Sequence, residues 1–121
     1  MPYAPTFPLA IELAPVDRVP DLASMDDRQR DGLAAALVDL LGRVDRLFDA
    51  PAPYMLWLNQ RPTVADSVLD GVDDAWFNVE IVSPWRSPRT SRYIAAAELA
   101  CEEYFNPVEP EALAARLRAL A

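Results

Sequence analysis

A chain of 121 residues has room for one domain, and a hydrophobic share of 52% is enough to give that domain a core. With 19 acidic residues against 11 basic ones and a formal charge of -8, the surface repels phosphate backbones and anionic headgroups, so neither a nucleic acid nor a membrane partner is expected. There is no histidine, and every basic residue is arginine, which excludes Ser-His-Asp and Cys-His catalysis within the chain, lysine Schiff-base chemistry and histidine-rich metal sites.

Residues 1–8 form a proline-spaced arm. Over 9–14, Leu9, Ile11 and Leu13 alternate with Ala10 and Glu12, the period of a half-buried strand. Two prolines and two aspartates make 15–22 a loop. Ser24 followed by Asp27 resembles a capping box, and it opens a helix over 25–48 in which Leu33, Leu37, Leu40, Leu41, Val44, Leu47 and Phe48 recur at helical spacing. Pro51 and Pro53 end that helix. The aromatic-rich run at 54–59 predicts a strand buried on both faces.

Pro, Gly and four aspartates make 61–74 a mobile loop. Residues 76–82 predict a third strand, with Phe77, Val79 and Ile81 on one face and Trp76, Asn78, Glu80 and Val82 on the other. A proline-bounded loop over 83–91 then presents Trp85 as an exposed aromatic beside Arg86 and Arg89. The 92–105 segment reads as a short turn followed by an extended stretch. A last helix over 110–120 starts on Pro110 and lines up Leu113, Leu117 and Leu120. The expected fold is a single α+β domain over 1–121: an antiparallel sheet, one long helix packed on a face, and a C-terminal helix.

Cys101 is the single cysteine. It permits no internal disulfide, fits a reducing compartment, and reads as a buried inert thiol for want of a neighbour that would lower its pKa. The first fifteen residues have no charged start before an apolar run, as a secretory signal would. A cytoplasmic location is expected.

Several segments, in this order, carry a resemblance: Val19-Pro20-Asp21-Leu22 before the long helix, Pro53-Tyr54-Met55 opening the second strand, Pro84-Trp85-Arg86-Ser87-Pro88 after the third, and Arg92-Tyr93-Ile94-Ala95-Ala96-Ala97-Glu98-Leu99. From Phe7 to Leu120 the chain is similar to the C-terminal half of the galactose-1-phosphate uridylyltransferase family, of the histidine triad superfamily. The resemblance implies a histidine-triad-like fold and a place in galactose and nucleotide-sugar metabolism. It also implies, by position, hexose-phosphate contacts at Arg92, Tyr93 and Glu98, with Ala95 and Ala97 as small-residue contacts.

The departures from that pattern are chemical. The family places histidines that help hold a structural metal where this chain has Asn59 and Asn78, with Glu80 beside them. Amides are poor ligands for zinc or iron, so no metal and no other cofactor is expected. The family's nucleophilic histidine lies in a half that this chain does not contain, so no catalytic residue is assigned here.

The implied role is a pseudoenzyme: a non-catalytic subunit or domain lending sugar-phosphate contacts to a site whose histidine is on another chain. The rival is a catalytically silent module that binds a nucleotide, a sugar phosphate or a protein. Arg86, Arg89 and Arg92, at spacing three around Trp85 and Tyr93, are the candidate phosphate contacts. Their plain alternative is solvated surface paired with the many carboxylates. Asn59, Asn78 and Glu80 read as a hydrogen-bonded remnant of the lost metal site or as a ligand contact. Trp57 and Trp76 read as core or interface, and Asp70, Asp73 and Asp74 as a solvated acidic turn. With part of the family's architecture missing, a homodimer or a heteromer with a catalytic half is expected.

Overall fold

A computed structural model describes residues 1–2, 5–62 and 74–121. In chain order its elements are β1 (Leu9–Leu13), α1 (Asp27–Phe48), β2 (Met55–Asn59), β3 (Asn78–Ser83), β4 (Trp85–Ser87), β5 (Thr90–Ser91), α2 (Ala96–Cys101) and α3 (Pro110–Ala119). Strands β1, β3 and β2 form an antiparallel sheet in that order, and β4 pairs with β5 in a separate hairpin. The expected α+β class with an antiparallel sheet is what the chain adopts.

Alternation along the central strand decides which face is buried. Ile81 lies opposite Ile11 on one side and Leu56 on the other, and Val79 lies opposite Leu13 and Leu58. The inner face therefore gathers Leu9, Ile11, Val79 and Ile81, with Phe77 entering just ahead of β3. Val44, Leu47 and Phe48 from the end of α1 join the same cluster, as do Leu113 and Leu117 from α3. The two helices are tied by arginine side chains: Arg43 donates to the Leu117 carbonyl at 3.2 Å and Arg46 to the Leu120 carbonyl at 2.7 Å. Phe77 has no exposed surface, so Phe77→Ala is expected to cost ~3–5 kcal/mol of stability, readable in urea unfolding.

Several expectations are corrected. Helix α1 begins two residues later than the sequence spacing predicts, because Leu22–Ser24 forms a 3-10 turn capped by Asp21, whose carboxylate accepts from the Ser24 amide at 2.8 Å. The capping box is instead Asp26 with Gln29, reciprocal at 2.7 and 3.0 Å. Among the described residues strand β2 is an edge strand, paired with β3 on one side, and its side chains are exposed on both faces rather than buried on both. An apolar run has the same composition whether its second side is covered or open.

Residues 83–91 are no simple loop. They fold into the β4–β5 hairpin, with Arg89 at its turn in the left-handed region (φ 59). Trp85 is half-buried and packs edge-on against Phe48, centroids 5.4 Å apart. The 92–105 segment contains helix α2 where an extended stretch was expected. The Glu98 side chain accepts from the Ala95 amide at 2.7 Å, which caps the first turn, and Glu102 (φ 56) ends the helix after six residues. Most of the 61–74 loop lies outside the described residues. Its ends are anchored by ion pairs, Arg61 with Asp21 and Arg18 with Asp74, both at 2.8 Å. Among the described residues no helix is long and apolar enough to cross a membrane.

Candidate functional site

The outer face of the sheet carries the first polar group. Asn59 and Asn78 are directly opposite one another across β2 and β3, and Glu80 is two residues further along β3 on the same face. One amide nitrogen ties all three together: Asn59 Nδ2 donates to Asn78 Oδ1 at 2.8 Å and to Glu80 Oε1 at 2.6 Å. The three residues predicted to cluster are thus brought together.

Their chemistry does not suit the metal that the resemblance implies. The centre of the cluster is an N–H donor, two of the three side chains are neutral amides, and the one carboxylate is already accepting from Asn59. No group of three or more His, Cys, Asp or Glu gathers among the described residues.

The second group lies where the N-terminal arm meets the segment after the hairpin. Arg92 and Glu98 form an ion pair whose side chains are 7% and 3% exposed. Arg92 also donates to the carbonyls of Thr6 and Phe105, and its guanidinium lies over the Phe7 ring, 5.3 Å from the centroid. Glu98 accepts from the Ala95 amide and, at 3.3 Å, from the Phe105 amide. The Ala95 hydrogen bond, followed by the Arg92 and Phe105 contacts, holds the Glu98 carboxyl below the ordinary glutamate value against the opposing effect of burial. Asp21 is lowered in the same sense, by its hydrogen bonds from Ser24 first and then by Arg61.

Above this pair opens a cleft of about 370 Å³, lined by Phe7, Pro84, Ile94, Leu99 and Tyr104 with Arg92 and Glu98 in its wall. Arg86 and Tyr93 sit nearby as an exposed stacked pair, the guanidinium 5.0 Å from the ring centroid. Of the five residues expected to contact substrate, Arg86, Arg89 and Tyr93 are therefore exposed, whereas Arg92 and Glu98 spend hydrogen bonds on each other and on backbone. Ala95 and Ala97 are half-buried beside them.

Sequence reasoning missed Thr6, Phe7 and Phe105, which complete the Arg92–Glu98 network. Thr6 and Phe7 reach Arg92 only when the chain's two ends close, which no local signal marks, whereas Phe105 is seven residues from Glu98 and was read as part of an extended stretch. Cys101 is exposed, against the expected burial. Trp57 and Trp76 are not core residues: both are exposed, and the Trp76 indole donates to the Pro15 carbonyl at 3.1 Å. Asp70 and Asp73 lie outside the described residues.

No protein-family profile matches the chain. It is 28% identical over 118 residues to galactose-1-phosphate uridylyltransferase of Thermotoga maritima, a match covering 98% of this chain and 36% of that protein. The enzyme of the same name from Cryptococcus neoformans is 31% identical over 120 residues, with 98% and 31% covered. The chain thus spans about a third of the length of these relatives. Among solved structures, a uridylyltransferase superposes with a TM-score of 0.80 at 25% identity, covering 98% of this chain and 36% of that one. An ADP-glucose phosphorylase from Arabidopsis thaliana, solved with bound ADP-glucose, shares the fold at a TM-score of 0.78 and 23% identity, covering 99% and 36%. Sequence likeness spanning 98% of the chain, together with the same antiparallel architecture, makes this chain a partial galactose-1-phosphate uridylyltransferase-like domain.

Proposed function

We propose that the chain is the C-terminal portion of a galactose-1-phosphate uridylyltransferase-like nucleotidyltransferase. In this reading it is non-catalytic, works in the cytoplasm, and lends contacts to a nucleotide sugar or sugar phosphate at a site whose nucleophilic histidine is on another polypeptide. One observation carries the reading: the likeness fills 98% of this chain but 36% of the Thermotoga protein, and the chain has no histidine with which to form a nucleotidyl intermediate.

The side chains divide the work. Arg86, steadied by its stack on Tyr93, and Arg89 at the hairpin turn are the groups free to meet a phosphate, for which a guanidinium fork is well shaped. Arg92 and Glu98 sit in the cleft wall and hold the arm and α2 in place, and Glu98 contacts a hexose hydroxyl only if an oxygen can accept beyond its present partners. That commitment of Arg92 and Glu98 to each other favours the second reading, a catalytically silent binding module.

Titration calorimetry and a transfer assay separate the two. The chain alone is expected to transfer no uridylyl group from UDP-glucose to galactose 1-phosphate. Mixed with a polypeptide carrying the remainder of a relative, it is expected to support transfer, and Arg86→Ala in that complex weakens sugar-phosphate binding by about tenfold or more. Transfer by the chain alone that a point change abolishes overturns the reading, as does an active complex indifferent to Arg86→Ala and Arg89→Ala.

A further inference from the structure

The cleft above the Arg92–Glu98 pair has the size of a small-ligand site and the wrong lining for a sugar. Its volume of about 370 Å³ is near the lower end of ligand pockets, which run from roughly 300 to 1,000 Å³, so it holds one ring and not a whole nucleotide sugar. A hexose carries hydroxyls around its rim, and each one that enters a pocket needs a partner there. The charged groups of the wall are already engaged. Arg92 donates to Glu98, Thr6 and Phe105, Glu98 accepts from Arg92, Ala95 and Phe105, and both side chains are almost wholly buried.

What remains for a ligand is apolar. Apart from Thr6, the rest of the wall is Phe7, Pro84, Ile94, Leu99 and Tyr104. Ile94, Leu99 and Tyr104 are 66%, 77% and 62% exposed, an apolar cluster that the chain itself leaves uncovered. Such a lining suits an aromatic ring, which presents a flat π surface to aliphatic and aromatic side chains alike. At the rim the chemistry changes sign. In a chain of formal charge -8, Arg86 lies over the Tyr93 ring, and the sequence neighbours of Tyr93, Arg92 and Ile94, both line the cleft. Among the described residues Arg86 forms no ion pair. An apolar cleft with an unpaired guanidinium at its edge is complementary to an aromatic ring that carries a phosphate.

We infer that this cleft receives the base of a nucleotide and not a hexose, with the nucleotide's phosphate meeting Arg86. The inference rests on the binding role proposed above and narrows it to one part of the ligand. Stacking on apolar side chains does not read base edges, so purine and pyrimidine are both accepted.

Titration calorimetry of the chain alone is the test. UMP and AMP are each expected to bind at least about tenfold more tightly than galactose 1-phosphate, and than ribose 5-phosphate, which keeps the sugar and the phosphate but lacks the base. Ile94→Ser with Leu99→Ser, at two exposed positions, is expected to remove most of that difference and leave ribose 5-phosphate binding unchanged. Arg86→Ala is expected to weaken UMP and ribose 5-phosphate alike. Galactose 1-phosphate binding as tightly as UMP overturns the inference and leaves the proposed function standing, as does UMP binding indifferent to the folded serine variant. Ribose 5-phosphate that matches UMP, or no binding of UMP at millimolar concentration, overturns it too. So does self-association that the serine variant abolishes, which assigns the patch to a second copy. An active reconstituted complex that ignores Arg86→Ala and Arg89→Ala counts instead against the proposed function, whichever nucleotide the chain binds.

Discussion

Arg92→Ala is expected to lower the thermal midpoint of the chain by roughly 10 °C or more, the scale on which a buried ion pair fails when one partner is removed. The guanidinium joins three segments far apart in sequence: the arm at Thr6 and Phe7, the carboxylate of Glu98 on α2, and the Phe105 carbonyl beyond it. Truncation leaves Glu98 buried without its counter-charge and two backbone carbonyls without a donor. A conservative Arg92→Lys restores the charge but not the fork, which reaches Thr6, Phe105 and Glu98 from separate positions, so it is expected to recover only part of the loss. Differential scanning calorimetry of the three proteins measures this. If Arg92→Ala melts with wild type, the network does not hold the arm.

Acid attacks the same lock. The Glu98 carboxyl titrates below its ordinary value of 4.5 in the folded chain, and Asp21 below 3.8, so the unfolded chain binds more protons than the folded one across that range. Stability from both groups is thus complete above the ordinary values and is lost as pH falls through the lower, folded ones. Glu98→Gln is expected to be less stable at neutral pH and to show a flatter decline in acid. An unchanged acid slope in this variant would assign the decline to other carboxylates.

How far the sequence reaches differs from element to element, for physical reasons. The pairing of Asn59 with Asn78 and Glu80 was legible because a strand has a period of two. Once two strands are placed side by side, the face of every residue follows. The core residues Val79, Ile81 and Phe77 were legible on the same ground. The open edge at β2 was not, since its composition is that of a covered strand and only the sheet order reveals the missing neighbour. Arg92 and Glu98 show a different limit. Similarity to the family points to substrate contacts there, but the burial of Arg92 against Thr6 and Phe7 depends on closing a loop across most of the chain, which no local pattern encodes. Trp85 likewise reads as an exposed loop aromatic until the end of α1 places Phe48 beneath it.

The Asn59–Asn78–Glu80 face yields the sharpest gain of function. Wild-type protein is expected to hold no stoichiometric zinc or iron by elemental analysis, since two of the three clustered side chains are neutral amides and the Glu80 carboxylate is hydrogen-bonded to one of them. In the double variant Asn59→His with Asn78→His, the two imidazoles stand on directly opposed positions of β2 and β3, and Glu80 projects from the same face two residues on. The side-chain tips of the present residues already converge to 2.6 and 2.8 Å, close enough that longer imidazoles reach around a shared ion with modest rotamer adjustment. Two histidines and a carboxylate are a common three-ligand zinc set with a fourth position open to water. The double variant is therefore expected to bind one zinc per chain and to melt higher in its presence, because a ligand held only by the folded state stabilises it. Each single variant lacks a ligand and is expected to bind far more weakly, and adding Glu80→Gln to the double variant removes the anionic donor and most of the affinity. A folded double variant that takes up no zinc would show that the face does not have the geometry its cross-strand register implies.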